Sequence, residues 1–291
     1  DAAAKPAAHL ADAGAGKARA AWSFRPDAPL YTEGPEFIEA ADVDGDGAQE
    51  VLYGAGSTLY VLGEGGKLLW EYAAKDRVRS CAVADLGGGR RVVFVGSNDG
   101  MVTLLDTAGK EIRSWHCDVL LISGQGHGRN PEVTALAAAD VNGDGQVEVL
   151  AGTRNCWIIA YTPEGKELWK DSKQYHGVRR ILVEDVDGDG KPEILSANRY
   201  GGIRAYAGDG RAKPGSVSEL GDVSMCLGRT LAGKTPMVVN GSSTGVLKAR
   251  LLGKEPAEFG FTNNGFGVNE VACADVSGDG LDEKPLLVNP N

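Results

Sequence analysis

The chain has 291 residues, a formal net charge of −10, 42 glycines and five cysteines. An acidic chain of this length buries a large core and offers no basic footprint for nucleic acid, and no apolar run approaches the roughly 18 residues of a membrane span. The cysteines have no zinc or haem spacing; Cys81, Cys226 and Cys273 recur in apolar runs and read as small buried thiols.

Residues 1–15 are alanine-rich and read as a flexible leader or the start of a closing element. A chain opening at Asp1 without methionine reads as a processed or trimmed form. Residues 16–291 read as one domain. Gly16 and Lys17 precede Trp22 as Gly109 and Lys110 precede Trp115. Gly66 and Lys67 before Trp70, and Gly165 and Lys166 before Trp169, form the same unit with two residues fewer. A change of two keeps the tryptophan on the same strand face. Residues 17–24 therefore read as the last strand of a unit whose first strands lie elsewhere.

The next segment, Asp42-Val43-Asp44-Gly45-Asp46-Gly47-Ala48-Gln49-Glu50, is acidic at positions 1, 3, 5 and 9, with glycine at 4 and 6. Carboxylates spaced by two and closing on a fourth wrap one hard cation in oxygen ligands, as calcium prefers. The spacing is not that of an EF-hand, which closes on a bidentate acid at position 12 between two helices. The pattern recurs with Asp140, Asn142, Asp144 and Glu148, then with Asp185, Asp187, Asp189 and Glu193, then with Asp275, Ser277, Asp279 and Glu283. These 16 residues are the expected ligands of four structural Ca2+ ions. Two further units keep the frame and lose the ligands: Asp85 is the last acid of one, and Arg229 replaces the first acid of the other. The four intact loops hold 14 acids at ligand positions, so four bound calcium ions bring the net charge to about −2 and leave no surplus for a cationic partner.

Successive copies are about 43 to 55 residues apart, the period of a propeller blade. In the third unit, strands are expected at about 134–139, 147–152, 156–161 and 167–170. The sixth unit has only two strands before Asn291, and residues 8–24 are expected to supply its outer strands. The expected fold is all-β: a six-bladed propeller of four-stranded blades, closed by the N-terminal strand so that no edge is left open.

These units resemble the calcium-binding FG-GAP or VCBS repeats of integrin α-chain propellers and of bacterial secreted propellers. Phe266-Gly267 and Gly54-Ala55-Gly56 echo the family name, although its GAP proline is absent. The resemblance spans nearly the whole chain. It implies the fold and the metal, and an extracytoplasmic setting, secreted, periplasmic or at the cell surface. It says little about activity, since such folds host many functions. It also implies that ligands bind the face opposite the calcium loops, with the chain a monomer or a domain of a larger protein.

That opposite face is formed by the loops entering each first strand and by those joining second and third strands. Six residues before the first loop acid, or its equivalent, stand Glu36, Arg79, Thr134, Arg179, Val223 and Asn269. The positions between are apolar, so a largely polar ring is expected at one mouth of the central channel. Candidate ligand-binding residues are Arg79, Arg129, Asn155, Arg179, Asn198, Tyr200 and Asn269, with an acidic glycan or a protein as ligand, because arginine pairs bidentately with carboxylate. The alternative is a polysaccharide lyase that cleaves uronate-containing glycans by β-elimination. In that reading an arginine neutralises the uronate carboxylate and Tyr175 or His176, near Arg179, takes the proton. No nucleophile elbow, zinc signature or dinucleotide motif is present.

Overall fold

The structure, a computed structural model, describes residues 22–26, 36–119, 131–172, 174, 176–198 and 202–213. It also describes the strands Asp222–Arg229, Pro236–Ser242, Val246–Arg250, Phe261–Thr262, Glu270–Ala272 and Leu286–Val288.

The chain lays down antiparallel sheets one after another. The first contains β1 (Phe37–Ala41), β2 (Glu50–Ala55), β3 (Thr58–Leu62) and β4 (Leu68–Ala73), in that order across the sheet. The second contains β5 (Val78–Asp85), β6 (Arg91–Ser97), β7 (Met101–Leu105) and β8 (Glu111–His116). The third contains β9 (Val133–Ala139), β10 (Glu148–Thr153), β11 (Ile158–Tyr161) and β12 (Glu167–Asp171), within two residues of the expected bounds. In the fourth, β13 (Val178–Glu184), β14 (Glu193–Asn198) and β15 (Ile203–Tyr206) are followed by a single bridge from Tyr206 to Ala212. The strands β16 (Asp222–Arg229), β17 (Pro236–Ser242), β18 (Val246–Arg250) and β19 (Phe261–Thr262) make the fifth sheet. Finally β20 (Glu270–Ala272) pairs with β21 (Leu286–Val288).

Burial follows position in the sheet. All six residues of β10 are buried, whereas β8, on the outer edge, is exposed at five of six. A continuous apolar run is what a strand covered on both faces requires. The cover comes from the neighbouring sheets. Phe94, Val102 and Leu104 of the second sheet share one cluster with Val149, Ala151 and Ile159 of the third. Leu150, Ile158 and Ala160 of the third share another with Val178, Ile181 and Ile194 of the fourth. The core therefore lies between consecutive sheets, and their first strands lie side by side: β1 by β5, β5 by β9, β9 by β13, β13 by β16 and β16 by β20. This is the radial arrangement of a β-propeller. Pairing of the N-terminal segment with the last sheet, and the missing outer strands of that sheet, lie outside the described residues.

Tryptophan and glycine stitch neighbouring sheets together. A Cβ placed on Gly109 would come within 2.5 Å of the Trp70 ring, on Gly165 within 2.7 Å of Trp115, and on Gly210 within 2.6 Å of Trp169. Each tryptophan sits on the fourth strand of one sheet, and each glycine in the turn before the fourth strand of the next. Gly66 of the first sheet holds Trp22 in the same way, at 2.4 Å. Trp22 thus meets Gly66 as each later tryptophan meets the glycine of the next sheet. Trp22 is 43% exposed. Trp115 is flanked by Phe94 and Tyr161, and Trp169 by Tyr206, but no second ring covers Trp22 among the described residues.

Candidate metal centres and the opposite face

Three of the four acidic loops lie within the described residues, and they share one hydrogen-bond plan. In loop 42–50 the two oxygens of Asp42 accept the N–H groups of Gly45 and Gly47, at 2.6 and 3.2 Å. Asp140 does the same with Gly143 and Gly145, at 2.7 and 2.8 Å, and Asp185 with Gly188 and Gly190, at 2.7 and 2.9 Å. The third- and fifth-position side chains each accept the N–H two residues on. All six glycines have φ between 79° and 90°, a region that favours glycine. The ninth-position glutamate then closes the loop. Oε2 of Glu50, Glu148 and Glu193 accepts the N–H of Val43, Val141 and Val186, at 2.8, 3.0 and 3.0 Å.

These glutamates are buried, at 5%, 4% and 2% exposure, beside other carboxylates. Buried charge of one sign is costly unless a cation compensates it. Oxygens of Asp42, Asp44 and Glu50 lie within 4.8 Å of one another, as do those of Asp185, Asp187 and Glu193. Each carboxylate oxygen has two lone pairs, so accepting one N–H leaves a pair for a metal. The donor set therefore fits a hard, oxygen-seeking cation such as calcium. In loop 140–148, burial pushes the carboxyl of Glu148 above its usual range, and nearby Asp144 and Asp140 add to this against the Val141 N–H. Burial acts on Asp140 too, but the loop N–H groups, led by Gly145, prevail and hold its carboxyl below the usual range.

The sites differ in what faces the free oxygen of the ninth-position glutamate. Glu148 Oε1 accepts from the Asn142 amide at 2.9 Å. Glu193 Oε1 accepts from Lys213, whose Nζ also lies 2.7 Å from Asp187 Oδ2. Burial works against the charge on Lys213, yet Asp187 and Glu193 hold its ammonium above the usual lysine range. Glu50 Oε1 has no protein donor among the described residues; beside it a pocket of about 320 Å³ is lined by Val43, Asp44, Leu69, Trp70, Thr107 and Ala108. Arg91, at the start of β6, pairs with Asp42 at 3.2 Å. Lys213 and Arg91 were not singled out in the sequence, because neither belongs to the loop it enters. The ligands Asp275, Ser277, Asp279 and Glu283 lie outside the described residues.

At the other end of the sheets, the polar register coincides with a backbone irregularity. Ladder pairing skips Arg79 in β5, Thr134 in β9, Arg179 in β13 and Val223 in β16. Four sheets therefore carry a bulge at the position singled out by spacing. Bulges re-aim a side chain and are enriched beside functional sites. Glu36, whose side chain is 6% exposed, accepts from Arg79 Nη1 at 2.6 Å and from Arg77 Nε at 2.7 Å. Thr134 Oγ1 bonds the carbonyl of Val178 in the next sheet, and Arg179 is exposed.

The remaining candidates divide. Asn198 is fully buried and donates to Gln174 Oε1 at 3.2 Å. Asn155 is 4% exposed, accepts from Thr153 Oγ1 at 2.6 Å, and leaves Nδ2 without a partner. Both amides thus point into the protein. The residue after Asn155, Cys156, has φ 76°, alone among the described non-glycine residues in lying at positive φ. His176 is half-buried. Arg129, Tyr175, Tyr200 and Asn269 lie outside the described residues.

Comparison with known proteins supports the architecture. Residues 36–120 match the family described as the lambda-carrageenase beta-propeller domain. No curated protein matches. A crystal structure of BBS1N in complex with ARL6DN, soaked with lead, aligns at a TM-score of 0.65 and 14% identity, covering 94% of this chain and 82% of that one. A mercury-soaked crystal of the same complex aligns at 0.62 and 11% identity, covering 88% and 74%. At such identities the likeness establishes the β-propeller fold alone.

Proposed function

We propose that residues 16–291 form an extracytoplasmic, calcium-stabilised, six-bladed propeller of the FG-GAP or VCBS kind that binds a glycan or protein on the face opposite its calcium loops. The observation that carries the binding role is the bulge repeated at Arg79, Thr134, Arg179 and Val223. A bulge costs ladder hydrogen bonds, and four at one register serve a purpose beyond closing a sheet. The calcium role is supported by the common plan of the three described loops and by the buried glutamates at their ninth positions. The fourth ion is assigned to Asp275, Ser277, Asp279 and Glu283. Calcium loops of this type suit calcium-rich surroundings outside the cytoplasm. Among the described residues no helix is long and apolar enough to cross a membrane.

On the ligand face, Arg79 and Arg179 offer guanidinium forks for a carboxylate. Glu36, which Arg77 also holds, fixes Arg79, and fixing a long side chain beforehand lowers the entropy cost of binding. Arg129, Tyr200 and Asn269 are assigned to the same face. The second reading, a glycan-degrading enzyme, is favoured by the match to the propeller domain of a lambda-carrageenase. In its lyase form, Arg179 neutralises a uronate and Tyr175 or His176 is the base.

Both are tested on one panel of immobilised acidic and neutral oligosaccharides, including uronate oligomers and lambda-carrageenan fragments, in calcium buffer. The binding reading predicts capture of an acidic member, and at least about tenfold weaker capture by Arg79→Ala/Arg179→Ala, the loss of roughly one charged hydrogen bond or more. The variant should melt somewhat lower, because Arg79→Ala leaves buried Glu36 paired with Arg77 alone, while its calcium content stays unchanged. Full affinity in the double variant refutes the proposed face. New absorbance near about 235 nm during incubation with uronate polymers selects the lyase, whose general base binding alone does not need.

A further inference from the structure

Loop 185–193 has a cation of its own. Lys213 Nζ lies 2.7 Å from Asp187 Oδ2 and 3.5 Å from Asp189 Oδ2, and donates to Glu193 Oε1. These are positions 3, 5 and 9 of the loop. We propose that the Lys213 ammonium is the resident cation of this loop: it holds the carboxylates together without metal, and calcium enters only by displacing it. The displacement half rests on the calcium reading of the loops given above.

The repeat shows that this lysine is no general feature of the fold. The turn before each fourth strand is closed by one pair of backbone atoms: Gly63 to Lys67, Asp106 to Lys110, Thr162 to Lys166 and Ala207 to Arg211. The ladder then pairs Leu62 with Leu68, Leu105 with Glu111, Tyr161 with Glu167 and Tyr206 with Ala212. One residue further on stand Leu69, Ile112, Leu168 and Lys213. Three sheets carry an exposed apolar side chain there, and the fourth carries an ammonium. Leu69 lines the pocket beside Asp44 and Glu50, which correspond to the two carboxylates closest to Lys213. A single change from leucine to lysine at this position delivers a positive charge into the loop of the same sheet.

Burial makes the pairing specific. Glu193 is 2% exposed, so its charge is shielded from solvent and answered by the Val186 N–H and by Lys213. Arg91 differs, since its hydrogen bonds and ion pair to loop 42–50 go to Asp42, at position 1, and none reaches positions 3 or 9. A divalent ion at loop 185–193 gains the same carboxylates but loses the ammonium's hydrogen bonds. The described loops are therefore unequal: loop 42–50 fills at lower calcium, and loop 185–193 fills last of the three.

The test compares the unaltered protein with Lys213→Leu, the residue of the first sheet, and Lys213→Arg. Without metal, in EDTA, Lys213→Leu should melt about 2–6 °C lower, because uncompensated carboxylates remain, while Lys213→Arg stays close to the unaltered protein. In calcium titration calorimetry the order reverses: the weakest site tightens roughly tenfold to a hundredfold in Lys213→Leu, the equivalent of no longer displacing charged hydrogen bonds. Should Lys213→Leu fail to fold in EDTA, Lys213→Gln shows the same two signs in smaller measure. Identical melts and identical isotherms overturn the proposal. If no variant takes up calcium, the calcium reading fails and the displacement with it, while the EDTA melts still decide whether Lys213 holds the loop.

Discussion

At the scale of the residue, Gly165 shows how tightly one position is held. Its φ is 84°, and the Trp115 ring lies where a side chain would begin. Alanine there meets both left-handed strain and a ring that Phe94 and Tyr161 flank. Gly165→Ala should cost about 2–4 kcal/mol in urea unfolding, from strain and overpacking combined. Cys117 and Cys156 are fully buried. Burial pushes the Cys117 thiol up to about 12 and the Cys156 thiol up to about 11, from an ordinary value of 9.0. Below pH 9 both states keep these protons, so the stabilisation is whole. Above it the unfolded chain ionises first, and stability falls by about 1.4 kcal/mol per pH unit per thiol until the folded values are reached. Melting from pH 8 to 11 should show this decline, flattened in Cys117→Ala after allowing for its lower starting stability. At pH 8, peptide mapping after alkylation of the native protein should find both thiols unmodified. The sequence placed small buried thiols in apolar runs, but Cys117 and Cys156 became visible as buried only through the packing of neighbouring sheets.

At the scale of the element, the loops were the most legible part of the chain. Their acids, glycines and closing glutamates recur at fixed spacing, and the structure gives each position the same hydrogen bonds in three sheets. The strands of the third unit were legible within two residues because apolar runs alternate with turn glycines. The bulges at Arg79, Thr134 and Arg179 were half legible: spacing marked the residues, but only the pairing showed that the ladder skips them. Lys213 was hidden, since it is 20 residues beyond the Glu193 it meets. Its signal was present as a lysine where Gly66-Lys67-Leu68-Leu69 has leucine, and it needed the strand register to carry meaning. Loop 42–50 offers a direct element-scale prediction. Glu50→Gln keeps an oxygen for the Val43 N–H and removes one charge from the cluster. It should abolish that loop's calcium site yet leave the metal-free protein at least as stable, because repulsion with Asp42 and Asp44 is relieved. Calcium calorimetry and EDTA melts of the variant check both halves.

At the scale of the whole molecule, sheets packed face to face, with adjacent first strands and a core between each pair, establish a propeller. The period of the repeat made that architecture readable before any coordinate, since each unit alone leaves its apolar faces uncovered. Blade number and closure belong to the proposal, and Trp22 on Gly66 is the contact it calls for at its N-terminal side. The first acidic loop lies where one sheet meets the next: Asp44 and Glu50 line one pocket with Trp70 of their own sheet and Thr107 and Ala108 of the second. The proposed metal would couple loop order there to the packing between sheets. The most direct measurement is therefore calcium content by atomic emission after dialysis, paired with thermal melts in calcium and in EDTA. Four ions per chain are predicted, with loop 185–193 filling after loop 42–50. Each site held at 100 times its Kd contributes about 2.7 kcal/mol, so the melt in EDTA should fall well below that in calcium. A protein that retains no calcium after dialysis, and melts at the same temperature with and without chelator, contradicts the calcium-stabilised propeller.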